Sequence, residues 1–294
     1  LSLAERGEQA TKRLRAAVIA PSGPFDRVAF DAGIERLRSV AEVAVPADIG
    51  RRQGFLAGDD DSRLRELHAA LEDDSCDILV AARGGYGATR ILSRIDRDLV
   101  ARARKPLVGF SDITALHASW HRAGVPSVHA ANVTGLAKLS ASDFAAWASA
   151  AKGNFVPLAT LRALRPGDAE GPVVGGNLAV LAALAGTPCA LDARDAIVLL
   201  EDVGERPYRI DRMLTTLLEN GAFRGARGFV LGEFTRCDAG DDGISAESVL
   251  VERLGALGVP IYADAPVGHG DRNVPVPFGI TAHLHQGALS FRDR

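Results

Sequence analysis

Five short apolar runs recur over the first 130 residues, and a turn and a helical pattern separate most of them. The runs are Arg15 to Ala20, Glu42 to Val45, Asp77 to Ala82, the stretch around Leu107, and Pro126 to Ala130. Between them, Asp26 to Val40 carries Phe30, Ile34 and Leu37 on one helical face. Asp59-Asp60-Asp61-Ser62 opens a helix with Leu64, Leu67 and Leu71, and a short helix resumes through Thr89, Ile91 and Leu92. This alternation predicts an α/β fold with a mostly parallel sheet flanked by helices. In such sheets ligands gather outside the C-terminal strand ends. The loop at Gly84 and the turn at Ser111 both follow strands, so both belong to that edge.

The pattern weakens over 153–172, where Pro157, Pro166, Gly167, Gly171 and Pro172 mark a linker. We read residues 1–152 as an N-terminal α/β domain, 153–172 as the linker and 173–294 as a smaller C-terminal α/β domain. The second domain shows a helix from Leu178, a strand Ala196 to Leu200 ending at Glu201-Asp202, and a helix from about Arg209 that stops at Gly221. Further strands read over Gly228 to Phe234 and Pro260 to Ala265, with a helix between them from about Ser245 to Leu257. A terminal hairpin turns at Gln286-Gly287. Residues 1–14 read as a polar lead-in. The chain opens on Leu1 rather than methionine, which leaves room for an upstream segment.

Composition excludes several partners. The net charge of −3 and an aromatic content of 5% give neither the basic patch nor the stacking platform that nucleic acid favours. No apolar run reaches the roughly 18 residues of a membrane span. Cys76, Cys189 and Cys237 are scattered, as in a reduced cytoplasmic protein. No His/Asp/Glu set has metal-ligand spacing. His283 and His285, the nearest case, read as a solvated strand face, so neither metal nor other cofactor is expected.

The chemistry-bearing positions share one situation. In Lys105-Pro106-Leu107-Val108-Gly109-Phe110-Ser111-Asp112, a strand turns sharply at Ser111 and a helix opens at Asp112. A serine there is ordinarily an N-cap; it is also where a hydroxyl can be held exposed. Glu201 and His269, the latter between Gly268 and Gly270, likewise lie just past apolar strands. Serine, carboxylate and histidine in that order suit acyl transfer, the histidine taking the serine proton and the carboxylate orienting the imidazole. Asp202 and Glu205 are rivals to Glu201. The Gly84-Gly85-Tyr86-Gly87 loop can offer backbone N–H groups to an oxyanion or a phosphate, but it lacks a nucleotide-binding fingerprint.

Ala82-Arg83-Gly84-Gly85-Tyr86-Gly87, Gly109-Phe110-Ser111-Asp112-Ile113-Thr114, Gly175-Gly176-Asn177-Leu178, Leu200-Glu201-Asp202 and Gly268-His269-Gly270 resemble, in order along nearly the whole chain, the LD-carboxypeptidases, serine peptidases of the S66 group. The resemblance implies a triad of Ser111, His269 and Glu201, with the serine on the N-terminal domain and the other two on the C-terminal one. It implies an oxyanion hole from the Asp112 N–H and one glycine of the Gly84-Gly85 pair. Arg83, Tyr86 and Asn177 become candidate substrate contacts. It further implies a cytoplasmic homodimer that trims the terminal D-alanine from murein tetrapeptides during cell-wall recycling. The alternatives are a microcin-type peptidyl-nucleotide hydrolase and a non-catalytic two-lobed peptide-binding protein. The sequence departs from the family at His129-Ala130-Ala131-Asn132, where many members carry an aromatic or histidine followed by Gly-Pro.

Overall fold

The computed structural model describes residues 13–292, so the lead-in read over 1–14 lies almost wholly outside the described residues. The first half of the chain runs β1 (Leu14–Ile19), α1 (Arg27–Arg38), β2 (Ala41–Ala44), α2 (Asp60–Glu72), β3 (Ile78–Ala81), α3 (Ala88–Ile91), α4 (Arg97–Ala103) and β4 (Leu107–Gly109). A 3₁₀ turn (Ser111–Ile113), α5 (Thr114–Arg122), β5 (Ser127–His129), α6 (Val133–Leu136) and α7 (Ala141–Ala150) follow. The helices start where acids and hydroxyls can cap them. Asp26 and Asp59 accept from the N–H groups of Ala29 and Ser62, and Ser140 accepts from that of Asp143. The helices α4, α6 and α7 have no counterpart in the sequence reading.

The second half runs β6 (Arg162–Arg165), β7 (Ala169–Asn177), α8 (Leu178–Ala183), β8 (Ile197–Val203), α9 (Pro207–Glu219), β9 (Gly228–Thr235), α10 (Ala246–Gly255), β10 (Ile261–Ala263), β11 (Val276–Phe278), β12 (Thr281–His285) and β13 (Ala288–Phe291). Pro207 fits the first turn of α9, where its missing N–H leaves no bond unmade. The last two strands form the expected hairpin, with Gln286 and Gly287 both at positive φ.

Two sheets organise these elements. The first has the order β11-β5-β4-β3-β1-β2 and the second β13-β12-β7-β8-β9-β10-β6. In the first sheet β1 to β5 are parallel, and both faces are covered. Val18, Val80 and Val108 pack under α1, α6 and α7 with Phe30, Leu37, Val133 and Trp147. Leu79, Ala81 and Leu107 face Leu67, Leu71, Leu116 and Trp120 on the other side. The period-two alternation of the strands sorts these sets. In the second sheet β7 to β10 are parallel. Val198, Leu200 and Phe229 pack against α8, α9 and α10, while Ile197, Leu199 and Val230 join Val276 and Phe278 of β11 on the opposite face.

Two features depart from the sequence reading. Within 153–172, read as linker, β6 pairs antiparallel with β10 and β7 begins. The β6 strand is an edge with mostly exposed residues and arginine at both ends, so no buried face printed an alternation on its sequence. Second, β11 leaves the second half of the chain and adds antiparallel to β5, Val276 opposite His129. The loop carrying His269 is therefore strung between the two sheets, from β10 of one to β11 of the other.

Candidate active site

The strand β4 ends at Gly109, and the chain turns at Ser111 with φ +65, a left-handed conformation rare for a residue bearing a Cβ. The serine is not the cap: it is the first residue of the 3₁₀ turn, and Phe110 stands at the capping position. Its neighbours brace the turn instead. The Asn132 side-chain oxygen accepts from the Phe110 N–H at 3.1 Å, and His117 Nε2 bonds the Gly109 carbonyl at 2.9 Å. Asp112 is buried, and its carboxylate accepts from the Ala88 N–H at 2.8 Å, tying the turn to the glycine loop. Burial raises its pKa above the usual carboxylate value.

The glycine loop lies against the serine. A Cβ on Gly84 would stand 2.9 Å from Ser111 Cβ and 3.1 Å from its Oγ, so only glycine fits without displacing the hydroxyl. Gly85 has φ +102, and a Cβ there would meet Arg83 and Gly23 instead. Gly23, from the loop after β1, donates to the Gly84 carbonyl at 3.2 Å. Arg83 is exposed and donates to the Pro24 carbonyl. Tyr86 is exposed with its ring 5.7 Å from that of Phe55.

Glu201 and His269 meet. His269 Nδ1 is 2.7 Å from Glu201 Oε2, and the His269 ring lies 4.8 Å from that of Phe110, the residue before the serine. Glu201 is fully buried and sits inside β8, not past it. Between Leu200 and Asp202 the partner β9 advances three residues to β8's two, a bulge opposite Glu201. Gly268 has φ +126, and a Cβ on it would stand 2.8 Å from Glu201 Oε2, so glycine lets the loop close onto the acid. The Gly268 N–H donates to Asn273 at 3.1 Å, and Arg272 bonds Asp143 of α7 at 2.6 Å, holding the loop to the first half of the chain.

The rivals have other partners. Asp202 is buried and accepts from Asn177 Nδ2 at 3.0 Å and from the N–H groups of Ala179 and Val203. Burial raises it to about 6. Glu205, just ahead of α9, pairs with Arg209 in its first turn. Asn177, expected among the substrate contacts, instead caps α8 through its side-chain oxygen, donates to Asp202, and bonds Thr114 through its N–H. Its amide is taken up in joining β7 to β8. Asn132, His117 and His129 went unassigned in the sequence. The family departure at 129–132 was the only signal there, and Asn132 turns out to hold the residue before the serine.

Burial alone would raise the Glu201 carboxyl, but the imidazoles of His129 and His269 beside its two oxygens outweigh that and lower it from 4.5 to about 2. A carboxylate lowered on folding contributes stability that is present above its unfolded value and lost as pH falls through the folded one. Denaturant unfolding of the wild type should therefore weaken more steeply below about pH 4.5 than that of Glu201→Gln. Parallel slopes in the two proteins would mean that the carboxylate is not held in this way.

Among the described residues no group of three or more His, Cys, Asp or Glu is placed to hold a metal ion. The three cysteines are buried and unpaired. No helix among the described residues is long and apolar enough to cross a membrane.

Known proteins carry the same arrangement of chain. The family model of the LD-carboxypeptidase N-terminal domain matches residues 16–130, and that of the LD-carboxypeptidase C-terminal domain matches 170–284. A Streptomyces coelicolor protein named "Putative carboxypeptidase" is 39% identical, with 92% of this chain and 90% of that protein aligned. The murein tetrapeptide carboxypeptidase of Pseudomonas aeruginosa is 36% identical over 94% of both chains. The crystal structure of muramoyltetrapeptide carboxypeptidase from Oxalobacter formigenes superposes with a TM-score of 0.86 at 30% identity, covering 95% of this chain and 98% of that one. The two matched domains span most of the chain, and with them it belongs to the LD-carboxypeptidase family, the S66 serine peptidases.

Proposed function

We propose that this protein hydrolyses the bond preceding the terminal D-alanine of murein tetrapeptides, with Ser111 as nucleophile, His269 as base and Glu201 as the acid that orients it. The observation that carries this reading is the 2.7 Å contact of His269 Nδ1 with a buried Glu201. It commits Nδ1 to the carboxylate and leaves Nε2 as the nitrogen for the serine proton.

The chemistry runs in two steps. Ser111 Oγ attacks the carbonyl carbon while His269 Nε2 takes the hydroxyl proton. The oxyanion is received by the Asp112 N–H and an N–H of the Gly84-Gly85 pair. The bond to the leaving D-alanine breaks as its nitrogen takes the proton from His269. Water then attacks the acyl-enzyme by the same route and frees the shortened peptide. Arg83, exposed on the edge beside Gly84, has no carboxylate partner among the described residues and suits the free terminal carboxylate of the substrate. The same reading places the enzyme in the cytoplasm, as a homodimer, acting on stem peptides recovered from the wall. The names and likeness of the relatives support the murein tetrapeptide as substrate.

A matched set of peptides tests the substrate: the tetrapeptide ending in D-alanine, its L-alanine epimer and the D-alanine amide. Amidation removes a charge-assisted contact and leaves donors unpaired, so kcat/KM for the amide should fall by about 10²-fold or more. The epimer should be similarly poor. Comparable values for all three would leave an unspecified serine hydrolase.

A further inference from the structure

We infer that His129 is a positioning residue of this site, gripping the second oxygen of Glu201 from the opposite sheet and holding the carboxylate aimed at His269. The inference rests on the reading that Ser111, His269 and Glu201 carry the chemistry.

His129 and Glu201 are both wholly buried, and His129 Nε2 stands 3.8 Å from Glu201 Oε1. Oε1 is the oxygen His269 does not use, and it has no hydrogen-bond partner; neither ring nitrogen of His129 has one. Two orphaned buried groups thus face one another, one an acceptor and one able to donate. An approach of less than about 1 Å makes the hydrogen bond. In its Nε2–H tautomer His129 donates to Oε1 and leaves Nδ1 bare.

The surroundings fix the ring without competing for it. Phe110 and Phe278 lie 5.9 and 5.7 Å from its centroid. His117 of α5, at 6.3 Å, donates through Nε2 to the Gly109 carbonyl, and burial lowers it to about 3, so it is neutral. Glu201 from β8 and His117 from α5 are the titratable groups that face His129. Its sheet partners, Gly109 of β4 and Val276 of β11, carry no charge. Glu201 itself faces His269 and adjoins Asp202.

The placement gives the contact its purpose. The acid stands on the second sheet and the serine on the first. His129, one strand over from the end of β4 that leads into Ser111, is the first sheet's hold on that acid. A donor on each oxygen stops the carboxylate from rotating and keeps it ionised in a site whose burial favours the neutral form.

The test is the rate at which a fluorophosphonate probe labels Ser111, measured against pH. His129→Leu should slow labelling by about 10- to 100-fold and move the acid side of the profile up by about half a unit or more, because a carboxylate that has lost the donor on Oε1 holds the proton on His269 more tightly. His129→Gln places an amide nitrogen where Nε2 stood and should stay within about threefold of wild type, with its profile. His129→Asn reaches only the Nδ1 position and should resemble His129→Leu. Wild-type labelling in a folded His129→Leu, or equal impairment of the Gln and Asn variants, overturns the assignment. Should His129→Leu not fold, the Gln and Asn pair decides alone. Wild-type protein that labels readily but leaves the tetrapeptide intact counts against the proposed substrate, and the His129 comparison still stands.

Discussion

Replacing Ser111 with alanine should lower kcat/KM for the tetrapeptide by about 10⁴- to 10⁶-fold and leave the fold intact, as for other groups that act as one catalytic unit. The two halves of that expectation have separate grounds. The turnover half follows from the proposed role of the hydroxyl as the attacking atom. The stability half follows from what the hydroxyl does not do, since it supplies no capping bond. Alanine keeps the Cβ, so the left-handed backbone at φ +65 is no more strained than in the wild type. The change in unfolding free energy should stay within about 1 kcal/mol. Near-normal turnover in the purified variant would move the nucleophile elsewhere.

His269→Ala should be about as damaging, roughly 10⁴- to 10⁶-fold, because a serine without its base is as inert as no serine. It also leaves Glu201 Oε2 buried without its imidazole, which should cost about 1–3 kcal/mol of stability. Glu201→Gln should retain more activity than either, since it disturbs the tautomer and the charge without deleting the base. The order of the three variants is the check. A His269→Ala protein that still labels with a serine-directed probe at the wild-type rate would remove histidine from the role of base.

Much of the architecture was written in local pattern. The strands β1 to β5 were legible as short apolar runs, the helices α1 and α2 by apolar residues recurring at a period of 3.6 behind the caps Asp26 and Asp59, and α5 by the turn at Ser111 that precedes it. The short helices α6 and α7 and the edge strand β6 were not. α6 is a single turn, α7 is alanine-rich with little contrast between its faces, and β6 is mostly exposed.

The site divides along the same line. Ser111, Glu201 and His269 could be nominated from the sequence because each follows an apolar run among glycine or acidic neighbours, and a family pattern runs through all three, although Glu201 lies inside β8. The sequence also supplied the glycines that allow close approach at 84 and 268. The residues alone left open which of Glu201, Asp202 and Glu205 faces His269; the family resemblance implied Glu201, and the structure puts Glu201 at 2.7 Å from His269 while Asp202 pairs with Asn177 and Glu205 with Arg209. The passage of β11 into the first sheet, which carries the His269 loop across, left no local mark either. Periodicity and capping act over a few neighbouring residues and so are printed in order along the chain. The meeting of Glu201 with His269, the approach of the His269 ring to Phe110 beside the serine, and the facing of His129 and Glu201 depend on how two sheets pack, and that is settled by burial and register between segments far apart in sequence.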